Sequence, residues 1–296
     1  MIKMYKNPEN TSKKNLDLNS KLKIFQIYKS LKYPSLKLDS YFQVYEEIFK
    51  KYVGKKITFV EVGVLGGGSL FMWKDYFGKD ARIIGIDINP EAEKWKDHGF
   101  EIFIGSQSKE KFWKDFYNKV GKIDILLDDG GHHNKEQIIS VHSSIPNIND
   151  KGVIVVEDTH SSYMSLFGNP SKFSFINFSK RIVDKVNYRF PATNLKKTSQ
   201  KEGKIFSVTF YESIVAFNID SEKCFDPEHV NSIGDPYAVQ DFSSTELFPK
   251  IQKLIDTRLQ FLKKIPVIKK IIRLLFYRNN LFLKIKEYFS LGKFFK

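Results

Sequence analysis

Two pairs of acidic residues, each directly after a short apolar run, are the part of this sequence best suited to chemistry. The runs and their pairs are Ile123–Leu127 followed by Asp128-Asp129, and Val153–Val156 followed by Glu157-Asp158. Each run has the length and the β-branched content of a buried parallel strand. Because ligands collect at the carboxyl ends of such strands, we expect three or four of these carboxylates to lie close together there.

Carboxylates that are packed this closely repel one another unless a cation lies among them or a proton is shared. A cluster of oxygen ligands favours a hard divalent ion such as Mg²⁺ or Mn²⁺. Three histidines accompany the acids, at His132, His133 and His160. The alternative is that the acids cap the helices that follow, as aspartate often does. Two acidic pairs with histidines beside them favour the metal site.

A glycine-rich turn after another buried strand is the second candidate site. In the sequence ITFVEVGVLGGGS, the strand Ile57–Val62 precedes a turn over Gly63–Gly68, and Ser69 begins a helix. Such a turn places backbone N–H groups beside a ligand. Its glycine spacing differs from the dinucleotide fingerprint, and Glu61 before the first glycine suits a ligand with an ammonium group. The methionine end of S-adenosylmethionine (SAM) is such a ligand, although the glycines also fit simple close packing.

Two further polar positions extend this candidate cofactor site. Asp87 ends the strand Arg82–Ile88, 26 residues after Glu61, where a carboxylate grips a ribose diol. The alternative role for Asp87 is to cap a helix that starts near Asn89-Pro90. After the next strand, the polar turn Gly105–Ser108, which contains Gln107, is placed to face an adenine ring.

The order of the apolar segments predicts an α/β fold with a doubly wound, mostly parallel sheet. Strands are expected at Ile57–Val62, Arg82–Ile88, Phe100–Ile104, Ile123–Leu127 and Val153–Val156, and helices at Tyr41–Tyr52, Lys109–Val120, Lys135–Ile148 and Phe173–Val186. A turn over Asn149–Gly152 would close the crossover between the two acidic strand ends. Ile205–Ile219 reads as two strands with a tight turn near Glu212-Ser213, which would complete the sheet antiparallel.

Composition narrows the class of protein. With 296 residues, 42% of them hydrophobic, the chain can form one sizeable α/β domain with extensions, or two small domains. The single cysteine, Cys224, excludes a disulfide framework and a cysteine-built zinc site. The polar N-terminus has no apolar signal segment, and no apolar run approaches the ~20 residues of a membrane span. We therefore expect a cytoplasmic protein.

The net charge of +14 is concentrated at the C-terminal end. Residues 259–296 contain ten basic residues and one acid, Glu287, in two segments with helical apolar spacing. Basic amphipathic helices with aromatic residues suit an anionic membrane surface, such as the inner face of the plasma membrane. The alternative is a helix pair that packs on the body or on a second subunit. The charge lies on apolar-faced helices and not in an aromatic groove, which argues against nucleic acid.

Five motifs, in order, resemble a known enzyme family. They are EVGVLGGGSLFMWKDYF, IIGIDINP, GSQS, LLDDGGHH and VIVVEDTHSSY. This series is similar to the metal-dependent class I SAM methyltransferases of the macrocin and mycinamicin sugar O-methyltransferase type, a group that includes cephalosporin-hydroxylase-like proteins. The resemblance covers about residues 39–220. It implies a Rossmann-like class I methyltransferase sheet, mostly parallel with an antiparallel C-terminal strand, plus helical N- and C-terminal extensions.

The resemblance also implies residue roles. Mg²⁺ or Mn²⁺ would be held by Asp129, Glu157 and Asp158, and His132 would be the general base beside Asp129. The SAM site would be lined by Glu61, Gly63, Gly66, Gly67, Ser69, Asp87, Gln107 and Asp128. The family usually has Gly-Ser-His where this chain has Gly130-Gly131-His132, and His133 is added.

These features together predict Mg-dependent methyl transfer from SAM to a sugar hydroxyl, in surface polysaccharide, glycolipid or glycosylated natural product biosynthesis. The alternatives are a non-sugar small molecule or a lipid headgroup as acceptor, or a basic protein that binds or methylates RNA. Homo-oligomers are common among similar enzymes. The expected organisation is an arm over 1–40, a methyltransferase domain over 41–222 with a substrate-covering insertion at 164–204, an irregular connection over 223–258, and the basic amphipathic tail over 259–296.

Overall fold

A computed structural model describes residues 17–190 and 202–234, together with Tyr288, Phe289, Leu291 and Phe294. The chain divides into two compact units, Met1–Glu228 and His229–Lys296, and the first contains the predicted methyltransferase domain. The start of the predicted arm, part of the predicted insertion and of the connection, and the predicted tail apart from those four residues lie outside the described residues. No helix in the described part of the chain is long and apolar enough to cross a membrane.

The first unit contains a seven-stranded sheet in the order β3-β2-β1-β4-β5-β7-β6. The strands are β1 Thr58–Val62, β2 Arg82–Asp87, β3 Glu101–Ile104, β4 Ile123–Asp128, β5 Ile148–Val156, β6 Ile205–Tyr211 and β7 Ile214–Ile219. Strands β1 to β5 pair in parallel, whereas β7 is antiparallel to both β5 and β6. The predicted fold class and the predicted C-terminal strand pair are confirmed.

Helices connect and cover the strands. They are α1 Lys23–Lys29, α2 Tyr41–Phe49, α3 Gly68–Phe77, α4 Glu110–Val120, α5 Asn134–Ser144 and α6 Phe175–Asn187. The connection between β2 and β3 is a 3-10 helix, Pro90–His98, and not an α-helix. Its buried residues, Ala92 and Trp95, are three positions apart, which suits the three-residue turn of a 3-10 helix.

One predicted turn is wrong. Helix α5 ends at Ser144 and not at Ile148, and residues 149–152 belong to strand β5, with Lys151 at a φ of 69°. The polar residues of this stretch have partners within the fold, because Asn149 donates to Asp124 Oδ1 at 2.8 Å and Asp150 accepts from Ser221. The sequence reads as a turn, but its side chains are satisfied by neighbours that only the folded sheet supplies.

Alternate residues along the strands enter two apolar layers, one on each face of the sheet. Phe59 of β1 lies in one layer and its neighbour Val60 in the other. The first layer includes an aromatic cluster around Trp73, whose ring centroid lies 5.0 Å from that of Phe59 and 5.3 Å from that of Phe49. Truncating a buried aromatic ring of this kind costs about 3–5 kcal/mol of stability. This layer fixes α2 against the sheet.

Helix α2 carries two functional side chains to the sheet edge. Its buried residues recur at three- and four-residue intervals, so one face packs on the core: Tyr41, Phe42, Tyr45, Ile48 and Phe49. The hydroxyls of Tyr41 and Tyr45 lie at the carboxyl end of β5, where they contact the second acidic pair. Core packing therefore determines the surroundings of the predicted metal ligands.

Candidate active site

A cleft of about 810 Å³ opens at the carboxyl ends of β1, β2, β4 and β5. Seven of the predicted site residues line it: Gly63, Asp87, Gln107, Asp129, His132, Glu157 and Asp158. Five others are not among its lining residues: Glu61, Gly66, Gly67, Ser69 and Asp128. Both predicted sites therefore lie in one cleft, but five of the residues predicted to bind the cofactor do not line it.

Glu61 is completely buried beneath the glycine-rich turn. Its carboxylate accepts hydrogen bonds from Ser69 Oγ at 2.7 Å and from Trp73 Nε1 at 3.1 Å. The ammonium of Lys37 lies 3.6 Å away. Burial raises the pKa of Glu61, and Lys37 opposes that rise. Within the chain, Glu61 therefore already has the cationic neighbour that the sequence assigned to a ligand.

The glycines of the turn permit close contacts between chain segments. Gly63 has a φ of +92°, and a Cβ there would lie 2.1 Å from the carbonyl oxygen of Asp129. A Cβ at Gly66 would lie 2.7 Å from the Pro34 carbonyl, and one at Gly67 would collide with the Trp95 ring. Gly63 brings β1 against the first acidic pair, Gly66 lets the preceding segment at Pro34 cross the turn, and Gly67 makes room for the Trp95 ring.

Asp87 ties the glycine-rich turn to the end of β2. Its Oδ2 accepts backbone hydrogen bonds from Val64 at 2.8 Å and Leu65 at 3.1 Å, and its Oδ1 accepts one from Asn89 at 2.8 Å. A carboxylate has about four acceptor positions, so these three bonds leave capacity for a ligand hydroxyl. Asp87 also lines the cleft.

Gln107 and Asp128 form a buried polar pair beside the cleft. Gln107 Nε2 lies 3.0 Å from each carboxylate oxygen of Asp128, and Gln107 Oε1 accepts the backbone N–H of Gly131 at 3.1 Å. Burial raises the pKa of Asp128, while its hydrogen bonds with Ser140 and Gln107 oppose the rise. The pair fixes the loop that follows β4 and carries Asp129 and His132.

Asp129, His132 and Asp158 form the group best arranged for an ion among the described residues. One ligand atom from each lies within 4.8 Å of the other two. His132 Nε2 is 3.3 Å from Asp158 Oδ2, while His132 Nδ1 is buried without a hydrogen-bond partner in this part of the chain. His132 and Asp158 both adopt positive φ angles, of 59° and 53°. This backbone turns the two side chains toward each other.

Glu157, the third acid predicted to bind metal, is fully buried and hydrogen bonded from within the chain. Its Oε1 accepts the hydroxyl of Tyr45 at 2.5 Å, and its Oε2 contacts the ammonium of Lys37 at 3.1 Å. Burial raises the pKa of Glu157 well above its ordinary range; Lys37 opposes the rise and the charge of Asp129 adds to it. Glu157 therefore lines the cleft from a deeper position than Asp129 and Asp158 do.

Lys37 is a functional candidate that the sequence did not reveal. Its ammonium contacts Asp129 Oδ2 at 2.5 Å and Glu157 Oε2 at 3.1 Å, and its side chain is only 1% exposed. Burial lowers the pKa of Lys37, but Asp129, Glu157 and Glu61 together raise it well above its usual value. Lys37 lies between Leu36 and Leu38 in the sequence, with no spacing to other polar residues that marks it, so only the fold identifies it.

Two tyrosines of α2 complete the hydrogen bonding of the second acidic pair. Tyr41 donates to Asp158 Oδ1 at 2.5 Å and accepts the backbone N–H of Asp158 at 3.2 Å. Burial, followed by the hydrogen bond to Asp158, raises the pKa of Tyr41. Burial also raises the pKa of Tyr45 well above its usual value, and the charge of Glu157 adds to this. Both hydroxyls therefore stay protonated and act as donors.

The other two histidines occupy different surroundings. His133 is exposed, occupies the N-cap position of α5, and packs its ring 5.0 Å from that of Phe167. His160 lines the cleft, and its Nδ1 lies 3.0 Å from Ser213 Oγ and 3.9 Å from Asp158 Oδ1. His132 is therefore the histidine that joins the two acidic strand ends.

Comparison with known proteins supports the resemblance seen in the motifs. The chain is 27% identical over 188 residues to 8-demethyl-8-alpha-L-rhamnosyl tetracenomycin-C 2'-O-methyltransferase of Streptomyces olivaceus, which covers 60% of this chain and 49% of that protein. It is 29% identical over 161 residues to mycinamicin VI 2''-O-methyltransferase of Micromonospora griseorubida, which covers 49% of this chain and 39% of the relative. The chain is similar to sugar O-methyltransferases. The predicted resemblance is confirmed.

Solved structures show the same fold. The mycinamycin-pathway methyltransferase MycE, in complex with Mg and SAH, superposes with a TM-score of 0.61 at 22% identity over 75% of this chain and 58% of that chain. Its complex with Mg, SAH and mycinamycin VI gives a TM-score of 0.60 at 22% identity, over 75% and 57% of the two chains. The chain spans about half the length of the curated relatives it matches. No protein-family model matches it.

Proposed function

We propose that this protein transfers a methyl group from SAM to a hydroxyl of a sugar, with a divalent cation, Mg²⁺ or Mn²⁺, bound beside the acceptor. The observation that carries the proposal is the shared cleft. The glycine turn, Asp87 and Gln107 line it together with Asp129, His132 and Asp158. A methyl donor and an activated hydroxyl must meet within such a space. The similarity to sugar O-methyltransferases supports a sugar as the acceptor.

The donor set fits a hard divalent ion. Four carboxylates converge at the ends of β1, β4 and β5, and Lys37 is the ammonium that contacts three of them. Burial raises the pKa of both Glu61 and Glu157; Lys37 opposes the rise, and the negative charge of Asp129 adds to it. Oxygen donors of this number and charge are those that Mg²⁺ and Mn²⁺ prefer. We assign the ion to the predicted set, Asp129, Glu157 and Asp158.

The chain's own residues supply the remaining requirements. When bound, SAM supplies the methyl group, and the ion supplies a positive charge that makes a hydroxyl easier to deprotonate. Asp87 and Gln107 orient the donor, and Asp129 and Asp158 orient the acceptor. His132 accepts the hydroxyl proton, a role typically worth about 10²–10⁴-fold in rate.

The segment after β5 provides the acceptor side of the proposed site. It begins at His160 in the cleft and exposes apolar side chains along its length: Tyr163 at 64%, Leu166 at 81% and Phe173 at 68%. Asn169 in this segment accepts from Asn134, next to the His132 loop, at 2.9 Å. We propose that Tyr163 and residues 164–173, the latter being the start of the predicted substrate-covering insertion, contact the acceptor.

Calorimetric binding of S-adenosylhomocysteine, with and without Mg²⁺, tests the proposal on the wild type and on Asp87→Ala and Asp129→Ala. We expect Asp87→Ala to lose binding of the nucleoside and Asp129→Ala to lose only the binding of Mg²⁺. Asp80→Ala, which changes a surface aspartate away from the cleft, serves as the matched control. If S-adenosylhomocysteine binds in none of these conditions, the methyltransferase proposal is wrong.

A further inference from the structure

Lys37 places a fixed positive charge inside the acidic cluster. Its ammonium lies within 3.6 Å of three carboxylates, those of Glu61, Asp129 and Glu157, and its side chain is 1% exposed. A charge buried in this way is poorly screened by solvent and salt. The charge of Lys37 therefore interacts with the neighbouring carboxylates more strongly than the charge of a surface lysine would.

The position of this lysine is determined by the segment on which it lies. Gly68 donates its backbone N–H to the Pro34 carbonyl at 3.1 Å, and the Tyr28 hydroxyl donates to the Ser35 carbonyl at 2.7 Å. The side chain of Tyr33 stacks on Phe71, with ring centroids 4.8 Å apart. Since α2 begins soon after, Lys37 is anchored on both sides and points into the cleft from a rigid segment.

Asp129 connects the ammonium to the ion-binding group. Its Oδ2 contacts Lys37, and the same carboxylate belongs to the proposed ligand group, together with Glu157 and Asp158. A divalent ion in that group and the ammonium would therefore be neighbours of like charge. Their repulsion opposes binding of the ion, whereas the attraction between Lys37 and the carboxylates keeps the ligands together.

We propose that Lys37 is a resident counter-cation that holds the acidic cluster together and keeps the divalent ion weakly bound and exchangeable. The inference rests on the proposed function, from which it takes the ion site. Lys37 is a positioning residue: it contacts Asp129, Glu157 and Glu61, and it acts on the ion through them. Removing a counter-cation should strengthen binding of the divalent ion. If Lys37 served only as structural support, its removal should weaken that binding.

Direct Mn²⁺ binding, measured by electron paramagnetic resonance and by calorimetry, distinguishes these two roles. We expect Lys37→Met, a neutral side chain of similar length, to bind the ion about tenfold more tightly than the wild type. Lys37→Arg keeps the charge and should retain the wild-type affinity. Lys94→Met removes another lysine of the same cleft, one that lies over the Trp95 ring at 5.1 Å, and should change the affinity less than about twofold.

Thermal unfolding provides a second readout. Without an ion, Lys37→Met should have a lower Tm than the wild type, and millimolar Mg²⁺ should raise its Tm by more than it raises that of the wild type. Weaker Mn²⁺ binding by Lys37→Met would overturn the proposal while leaving the metal site intact. A Lys37→Met protein that stays unfolded in millimolar Mg²⁺ would also overturn it. Absence of ion binding in both proteins would refute the metal site, and the role of Lys37 with it.

Discussion

At the scale of single residues, the site depends on a few side chains that meet across long stretches of chain. His132 is the proposed general base. Measuring turnover and Mg²⁺ affinity separately distinguishes this role from that of a metal ligand. Its Nε2 contacts Asp158, while its Nδ1 has no partner within the described part of the chain.

Replacing His132 by alanine should reduce turnover by about 10²–10⁴-fold, because the acceptor hydroxyl loses its proton acceptor. The affinity for Mg²⁺ should be unchanged, since the proposed ligands are carboxylates. Kinetics with a sugar acceptor, paired with calorimetric titration of Mg²⁺, measure the two quantities. His133→Ala, in the adjacent position, is the control and should retain turnover. Loss of Mg²⁺ binding in His132→Ala would make His132 a ligand.

Gly63 provides a test of the close approach between β1 and the first acidic pair. Gly63→Ala should lower the free energy of unfolding by about 1–3 kcal/mol more than Gly54→Ala does. Both glycines have positive φ angles, of 92° and 72°, but only at Gly63 would the new Cβ meet another atom within 4 Å. Urea unfolding of the two variants gives the difference. Equal losses would mean that the backbone angle alone matters.

Candidate residues were identified in the sequence by their types and spacing. Residues whose contacts form only in the folded chain were therefore missed. The acids at the strand ends were predictable, because each pair directly follows a short apolar run that marks a buried strand. Lys37 contacts carboxylates 92 and 120 positions away along the chain, and no local pattern reports contacts of this kind. The hydrogen-bond partners of Glu61 were equally hidden, since Ser69 and Trp73 become its neighbours only when α3 packs on β1.

At the scale of elements, α2 is the part of the fold that links the core to the chemistry. Its aromatic face is buried, and two tyrosines on that face donate hydrogen bonds to the second acidic pair: Tyr41 to Asp158 and Tyr45 to Glu157. Helix α2 was predictable from its periodicity, and so was every strand of the sheet to within a few residues, apart from the early start of β5. The hydroxyls of Tyr41 and Tyr45 were not assigned, since an aromatic stripe indicates packing first.

Tyr45→Phe should lower the free energy of unfolding by about 1–3 kcal/mol, because the buried Glu157 loses a hydrogen-bond donor. Tyr117→Phe is the matched control: it removes another buried tyrosine hydroxyl, which donates at 2.7 Å to the neutral Ser144. The smaller loss is expected in the control, since its partner carries no charge. Denaturant unfolding measures both, and an equal or larger loss in Tyr117→Phe would contradict the role given to Tyr45.

The short strand β3 carries Gln107 at its carboxyl side and is held at its other end by an ion pair. Arg82 and Glu101 pair in a two-pronged contact at 2.6 and 2.7 Å, and hydrogen bonding from Arg82 lowers the pKa of Glu101. Because the pKa of Glu101 is lower in the folded state, the ion pair stabilises the fold fully at pH values above the unfolded-state pKa of a glutamate, about 4.3. This stabilisation is lost as the pH falls through the folded-state pKa.

Glu101→Gln should therefore lower the Tm at neutral pH, and the difference from the wild type should vanish in acid. The effect is at most about 1 kcal/mol, because both side chains are well exposed. Glu93→Gln, which changes an exposed i,i+3 pair with Lys96, is the control. Calorimetric scans from neutral pH down to about pH 3 test this, and a constant difference across that range would exclude the ion pair as the cause.

At the scale of the whole molecule, the described unit contains the sheet and the candidate site, and the chain matches about half the length of its curated relatives. The basic segment 259–296 was predicted from charge and apolar spacing, and it lies outside the described residues apart from Tyr288, Phe289, Leu291 and Phe294. Its partner remains a proposal drawn from the sequence, as does assembly into a homo-oligomer.

A chain that ends at residue 258 should lose binding to vesicles rich in anionic lipid and retain binding of S-adenosylhomocysteine. The reason is that ten basic residues and one acid lie beyond that point, and each basic side chain near such a surface contributes up to about 1 kcal/mol. Vesicle sedimentation at low and high salt measures the binding, with neutral vesicles as the control. Equal binding by the shortened chain would show that the segment does not attach the protein to membranes.

The positive φ angles of His132 and Asp158, 59° and 53°, have a consequence for which residues selection retains at these two positions. A side chain in that conformation raises the energy of the folded state by roughly 1–2 kcal/mol, a penalty that glycine avoids. Glycine at either position would relax the backbone while removing a group needed for the proposed reaction. Laboratory evolution for heat resistance alone should accumulate inactive variants at these two positions, and retaining histidine and aspartate there requires selection for turnover.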